Sequence, residues 1–271
     1  MPPLNGTHLH VLDTGGDLPV LVFSHGLLFN SRMFDRQIEH FKPRFRVIAY
    51  DHRGQGRSAD DPARSISIET VTADALALLD HFGIQNAHFA GLSMGGFVGM
   101  RLAARHPERI ASLVLLETAA GPESAAFIPR YTWMNRVARW IGLWPVADQV
   151  MPILFGRTFL ADPARAQEKA RWRAELTGNR RSIWRAVNGV IEREGIEGEL
   201  ANIRCPTTVI VGDEDVATPL KRAQAIVAAI PGAAIVRIPN AGHSSTIEAP
   251  DAVIAAMEGH FAARSPHTRS E

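Results

Sequence analysis

Three observations predict an α/β fold with a mostly parallel central sheet, flanking helices and one inserted helical block. Apolar, β-branched runs alternate with helical patterns over residues 1–120 and again over 202–271. The block between them, residues 121–201, offers no convincing strand. At 271 residues the chain can bury a substantial core without cross-links.

The first three runs, Pro19 to Ser24, Phe45 to Tyr50 and His88 to Leu92, each end in a polar or glycine-containing turn. Their continuous apolar character reads as buried parallel strands. Helical patterns over Arg32 to Phe41 and Ile68 to Phe82 precede the second and third of them. A helix over Gly96 to Arg105 stops near His106-Pro107, and Ile110 to Leu116 is the next strand. Strands over Thr207 to Val211 and Ala234 to Ile238 enclose a helix over Leu220 to Ile230. The last helix covers Asp251 to Ala262, and the tail from Arg264 reads as disordered.

The block over 121–201 holds all five tryptophans, at 133, 140, 144, 172 and 184. It reads as an inserted helical cap whose rings build a small core of their own. A lid over a chemical surface also lines the chamber below it, so some of Met134, Trp140, Trp144 and Phe155 are expected to face a ligand.

Bulk composition narrows the partners. The formal net charge is +1 with no run of like charges, which gives no electrostatic support to a nucleic-acid or acidic-membrane partner. A small neutral or weakly anionic molecule fits better. The single cysteine, Cys205, forms no internal disulfide and reads as a buried filler. The start, Met1-Pro2-Pro3-Leu4-Asn5-Gly6, lacks a basic region followed by an apolar one, and no apolar run is long enough to span a bilayer. These features predict a soluble, cytoplasmic protein. There is no metal-ligand spacing, phosphate loop or dinucleotide fingerprint, so no cofactor is implied.

Gly91-Leu92-Ser93-Met94-Gly95-Gly96 carries the chemistry, because its Gly-x-Ser-x-Gly lies between a strand-like run and a helical pattern. In that context the serine sits on a tight turn that pushes its hydroxyl above the sheet. A serine hydroxyl is a weak nucleophile at neutral pH, so a base and a carboxylate to orient it are needed downstream. His243, in Asn240-Ala241-Gly242-His243, follows the last strand, and Asp215, in Gly212-Asp213-Glu214-Asp215, follows the strand before it. All three then sit at carboxyl ends of parallel strands, where open α/β sheets build their sites. Glu117, at the end of Ile110 to Leu116, is a rival carboxylate.

These motifs, with His25-Gly26 and Asp51-His52-Arg53-Gly54-Gln55-Gly56-Arg57-Ser58, appear in an order that resembles the α/β-hydrolases across nearly the whole chain. Within that superfamily the wording is similar to esterases and lactonases of the 3-oxoadipate enol-lactonase type. The resemblance implies a Ser-Asp-His triad of Ser93, Asp215 and His243. The family's acid stands three residues after a glycine and four before a proline, a pattern that selects Asp215 over Asp213 and Glu214. Some members carry it where Glu117 stands, so that alternative remains. The resemblance also implies an oxyanion hole from the backbone N–H groups of Leu27 and Met94, with Leu28, Phe29 and Met33 as pocket walls. His25 then orders its loop, and the Asp51-to-Ser58 turn is structural.

The implied activity is acyl transfer to water on a small ester or lactone. Arg130, Arg136 and Arg139 could clamp a substrate carboxylate, but their spacing suits a solvated face, which favours an uncharged ester or lactone, acyl-homoserine lactones included. Carbon–carbon bond hydrolases and cofactor-free perhydrolases use the same triad and stay as alternatives. A small-ligand receptor of this fold is the non-enzymatic alternative; such proteins have lost the triad or nearly all turnover.

Overall fold

A period of two along the strands decides which residues face which layer. In the computed structural model, which describes residues 3–262, strands β1 (Val11–Asp13), β2 (Val20–Ser24), β3 (Arg46–Tyr50), β4 (Ala87–Leu92), β5 (Ile110–Leu116), β6 (Thr207–Gly212) and β7 (Ala234–Ile238) form one sheet. Their spatial order is β1-β3-β2-β4-β5-β6-β7. β1 runs antiparallel to β3, and the remaining neighbours are parallel. β1 escapes sequence reading because its three residues are exposed or half-buried at the sheet edge and make no apolar run.

Alternate residues feed two cores, one on each face. Leu21, Phe23, Val47, Ala90, Val114 and Ile210 point to one, and Val22, Ile48, Tyr50, Phe89, Leu115 and Val209 to the other. Helices α1 (Asp35–Phe41), α2 (Ile68–His81) and α3 (Met94–Arg105) follow the first strands. α1 packs on the first face, through Ile38 and Phe41, while α2 and α3 pack on the second, through Val71, Leu78 and Val98. The expected helix over Arg32 to Phe41 opens as a 3-10 turn, Ser31–Phe34, because Asn30 caps the Arg32 N–H with its side chain.

Between β5 and β6 the chain forms α4 (Ile128–Ile141), α5 (Ala147–Leu154), α6 (Arg157–Ala161), α7 (Ala166–Thr177) and α8 (Trp184–Ile191). Met134, Val150, Leu154, Trp172 and Leu176 from this segment join the first core. The chain closes with α9 (Leu220–Ala229), α10 (Ser245–Glu248) and α11 (Pro250–Ala262). The predicted disordered tail lies outside the described residues.

The strand order turns outward in both directions from the β2/β4 pair, since β3 lies beyond β2 and β5 beyond β4. Open parallel sheets present a crevice at such a point. The loop after β2 and the turn after β4 are therefore neighbours above the sheet, and the loops after β6 and β7 approach from one side.

Candidate active site

The turn from β4 into α3 is shaped by what glycine lacks. A Cβ on Gly91 would stand 2.2 Å from the Gly95 carbonyl oxygen, and one on Gly95 only 1.9 Å from the Ser24 carbonyl oxygen. With both positions stripped, Ser93 adopts φ 50 and ψ −108, a conformation that costs a non-glycine residue about 1–3 kcal/mol. Three hydrogen bonds hold it there. Its N–H donates to the Leu116 carbonyl at 2.9 Å, and its carbonyl accepts from Phe97 N–H at 3.0 Å and the Thr118 hydroxyl at 2.8 Å.

Asp215 and His243 come from the turns after β6 and β7. His243 Nδ1 lies 3.0 Å from Asp215 Oδ2 and 3.1 Å from Oδ1. Asp215 also accepts from Ala217 N–H at 2.8 Å, Thr218 N–H at 3.0 Å and the Thr218 hydroxyl at 2.7 Å. Burial pushes the Asp215 carboxyl up, but the attraction and hydrogen bond of His243, with those from Thr218, hold it below the ordinary aspartate value. Burial acts against protonated His243, yet Asp215 outweighs it and raises the imidazole above its ordinary value.

Glu117, the rival acid, is fully buried at φ 40, and its carboxylate oxygens make no hydrogen bond of good geometry to His243 or to any other group. Burial, with the nearby Asp215 and Glu248 charges adding, pushes its carboxyl well above the ordinary range. Of the two candidates, Asp215 is the one hydrogen-bonded to His243.

Sequence reading missed Glu248. It accepts three backbone N–H bonds, from Gly156 at 2.8 Å, Gly242 at 3.0 Å and Ser244 at 3.0 Å, and so ties the His243 loop to the entry of α6. Burial raises its carboxyl despite those donors. Its bond to the Ser244 N–H is one half of a capping box, stretched by one residue and without the reciprocal bond from the Ser244 side chain, so the usual spacing does not mark it in the sequence. Glu214 makes a parallel tie, accepting from Thr158 N–H at 2.8 Å, the Thr158 hydroxyl at 2.7 Å and Arg157 at 3.0 Å.

On the opposite wall is the loop after β2. His25 is buried with Nδ1 2.7 Å from the Gly26 carbonyl, and Nε2 accepts from His52 N–H at 2.8 Å. Those bonds assign the proton to Nδ1 and leave a neutral ring, and burial lowers its pKa further. Leu28 stands at φ 74 and its N–H donates to Gln55 Oε1 at 3.0 Å. Met94 is the first residue of α3, where helix N–H groups have no partner within the helix. The Asp51-to-Ser58 turn is a scaffold: Asp51 accepts from Ser31 and Arg57, and Arg53 pairs with Asp74 and Asp61.

A cavity of about 130 Å³ joins these walls, and both Ser93 and His243 line it. Leu27, Leu28, Phe29, Met33 and Met134 also line it. Trp140, Trp144 and Phe155 do not, and these expectations are corrected. Trp140 lies on the side of α4 away from the cavity-lining residues, and Trp144 lies beyond the helix end at Gly142, which stands at φ 91; they are 69% and 66% exposed. Phe155 is buried behind the wall, stacked on Phe159 at 4.8 Å. Of the five tryptophans, Trp172 is buried, edge-on to Phe29 at 5.0 Å.

Most of the lining is apolar. Arg193 and Glu123 also line it, but they pair with each other at 2.9 Å, and Arg193 bonds the carbonyls of Gly121 and Val190 as well. Arg130, Arg136 and Arg139 are solvent-exposed and outside the wall. Among the described residues no group of His, Cys, Asp or Glu is arranged to hold a metal ion, and no helix is long and apolar enough to cross a membrane.

The model of the Alpha/beta hydrolase family matches residues 21–256, nearly the whole chain. This chain belongs to the alpha/beta hydrolase family. The hydrolase is 31% identical to 3-oxoadipate enol-lactonase 2 of Acinetobacter baylyi over 244 residues, 89% of this chain and 88% of that protein. It superimposes on the enol-lactonase of Burkholderia xenovorans LB400 with a TM-score of 0.87 at 32% identity, covering 96% of this chain and 98% of the other. A thermophilic esterase from Thermogutta terrifontis gives a TM-score of 0.86 at 30% identity, covering 95% and 94%.

Proposed function

We propose that this hydrolase cleaves small, uncharged carboxylic esters or lactones through an acyl-enzyme on Ser93. One observation carries the reading: Ser93, forced above the sheet by its backbone, shares an apolar cavity with a His243 whose Nδ1 is held by Asp215. The Asp215 bond keeps the His243 proton on Nδ1, so Nε2 is the free base. His243 takes the Ser93 proton as the hydroxyl attacks the carbonyl, and Asp215 stabilises the imidazolium. Leu27 and Met94 N–H groups receive the oxyanion, an interaction worth roughly 3–4 kcal/mol per donor in comparable chemistry. His243 then returns its proton to the leaving alkoxide, which in a lactone remains attached to the acyl group. Water activated by the same ring hydrolyses the acyl-enzyme and frees the acid.

The uncharged acyl group follows from the lining. Arg193 is neutralised by Glu123, so a substrate carboxylate would enter an apolar cavity without a free counter-charge. The enol-lactonase and esterase relatives support both leaving-group geometries, cyclic and open. Residues 121–201 serve as the cap that closes the chamber.

Acid release on a pH-stat from acyl esters, simple lactones and acyl-homoserine lactones, with Ser93→Ala alongside, tests the reading. Release lost in Ser93→Ala is expected, and release by the folded variant at the wild-type rate would overturn it. A folded protein that bound these compounds without release would be the receptor, and the carbon–carbon hydrolase and perhydrolase readings would be tried next.

A further inference from the structure

Helix α4 has two unlike faces. Tyr131, Met134, Asn135 and Ala138 line the cavity. Trp133 and Trp140, seven residues apart and so on one stripe, face outward and are 55% and 69% exposed. Trp144 and Ile141 extend this exposure past the end of the helix. Single exposed leucines are common on protein surfaces, but several large rings on one element mark an interaction face.

Charge identifies the occupant. α4 contains Arg130, Arg136 and Arg139 and no aspartate or glutamate. Arg130 and Arg136 stand three residues to either side of Trp133, so they flank the tryptophan stripe, and Arg139 lies over the rings of Trp140 and Trp184 at 5.2 and 4.4 Å. The net charge of +1 averages this local excess away. A second copy docking by a two-fold axis would set these arginines against their own counterparts, with no carboxylate on the helix to offset them. An anionic bilayer offers the rings a headgroup-level environment and the arginines their counter-charge.

We infer that the Trp133–Trp140 face of α4 docks on anionic lipid surfaces. The helix then lies in the interfacial plane with its other side forming the cavity wall, so apolar compounds dissolved in the bilayer meet the protein one helix away from Ser93. Lipid binding is read without turnover and stands or falls separately from the hydrolase reading.

The test is flotation of the 271-residue chain with vesicles of phosphatidylcholine alone or mixed with phosphatidylglycerol, with tryptophan emission recorded. About tenfold more protein should float with the anionic vesicles at low salt, with a blue shift, and salt should reduce both. Trp133→Ser/Trp140→Ser should abolish flotation while keeping the thermal melt and the turnover of a short soluble ester. Arg130→Gln/Arg136→Gln should lose the preference for the anionic vesicles. Absence of flotation with anionic vesicles would overturn the inference. A concentration-dependent dimer that the tryptophan variant dissolves, without flotation, would also overturn it and assign the face to a second copy.

Discussion

Leu28, at φ 74, is held from two sides: its N–H donates to Gln55 Oε1 at 3.0 Å and its carbonyl accepts from Asn179 Nδ2 at 2.8 Å. Gln55 also approaches Met94 Sδ at 3.6 Å. A side chain of the Asp51-to-Ser58 turn thus reaches both walls of the proposed oxyanion hole, and Asn179 ties one of them to the segment between β5 and β6.

Gln55→Leu is therefore expected to lower kcat by about 100-fold with little change in KM, because the proposed oxyanion donor Leu27 would lose the support of its neighbour Leu28. Asn179→Ala should act in the same direction but more weakly, since Gln55 remains. Steady-state kinetics on one soluble ester checks both. A rise in KM with unchanged kcat would assign Gln55 to ground-state binding.

The proposed base, His243, can take a proton only when neutral, and Asp215 raises its pKa. The acid limb of kcat/KM should therefore lie above the ordinary imidazole value of roughly 6.5. Asp215→Asn removes the attraction and leaves the burial, so the limb should move to lower pH while kcat falls about a thousand- to ten-thousand-fold. A pH–rate profile of both proteins reads the shift.

Glu117 has a folded pKa raised by burial, so its favourable contribution is complete below the unfolded carboxyl value and is lost as pH rises through the folded one. Stability should fall across that window with a slope of up to about 1.4 kcal/mol per pH unit from this group. Glu117→Gln should remove that component, raising Tm at pH 8 relative to wild type more than at pH 5, with turnover retained. Loss of turnover by orders of magnitude would make Glu117 the catalytic acid instead.

Glu248→Ala strands three buried backbone N–H groups in the His243 loop and at Gly156. A loss of about 3 kcal/mol or more is expected in urea unfolding. A loss below about 1 kcal/mol would mean that water replaces the carboxylate.

The sheet was legible because buried parallel strands carry long apolar runs, and the elbow because its glycines answer a steric demand local to the chain. β1 was not, because an exposed three-residue edge has no pattern. Which side chains of the segment between β5 and β6 face the cavity was not legible either: Trp140 and Met134 lie on different sides of one helix, and composition ranks them alike. The ties at Gln55, Asn179 and Glu248 join positions far apart in sequence or end on backbone atoms, so residue identity alone did not announce them.

The most direct measurement is intact-mass analysis, followed by peptide mapping, of the hydrolase quenched during turnover of an activated ester. An acyl group is expected on the peptide that carries Ser93, absent in Ser93→Ala. Sustained ester turnover with no acyl adduct at Ser93, undiminished in that variant, would contradict the proposed acyl-enzyme.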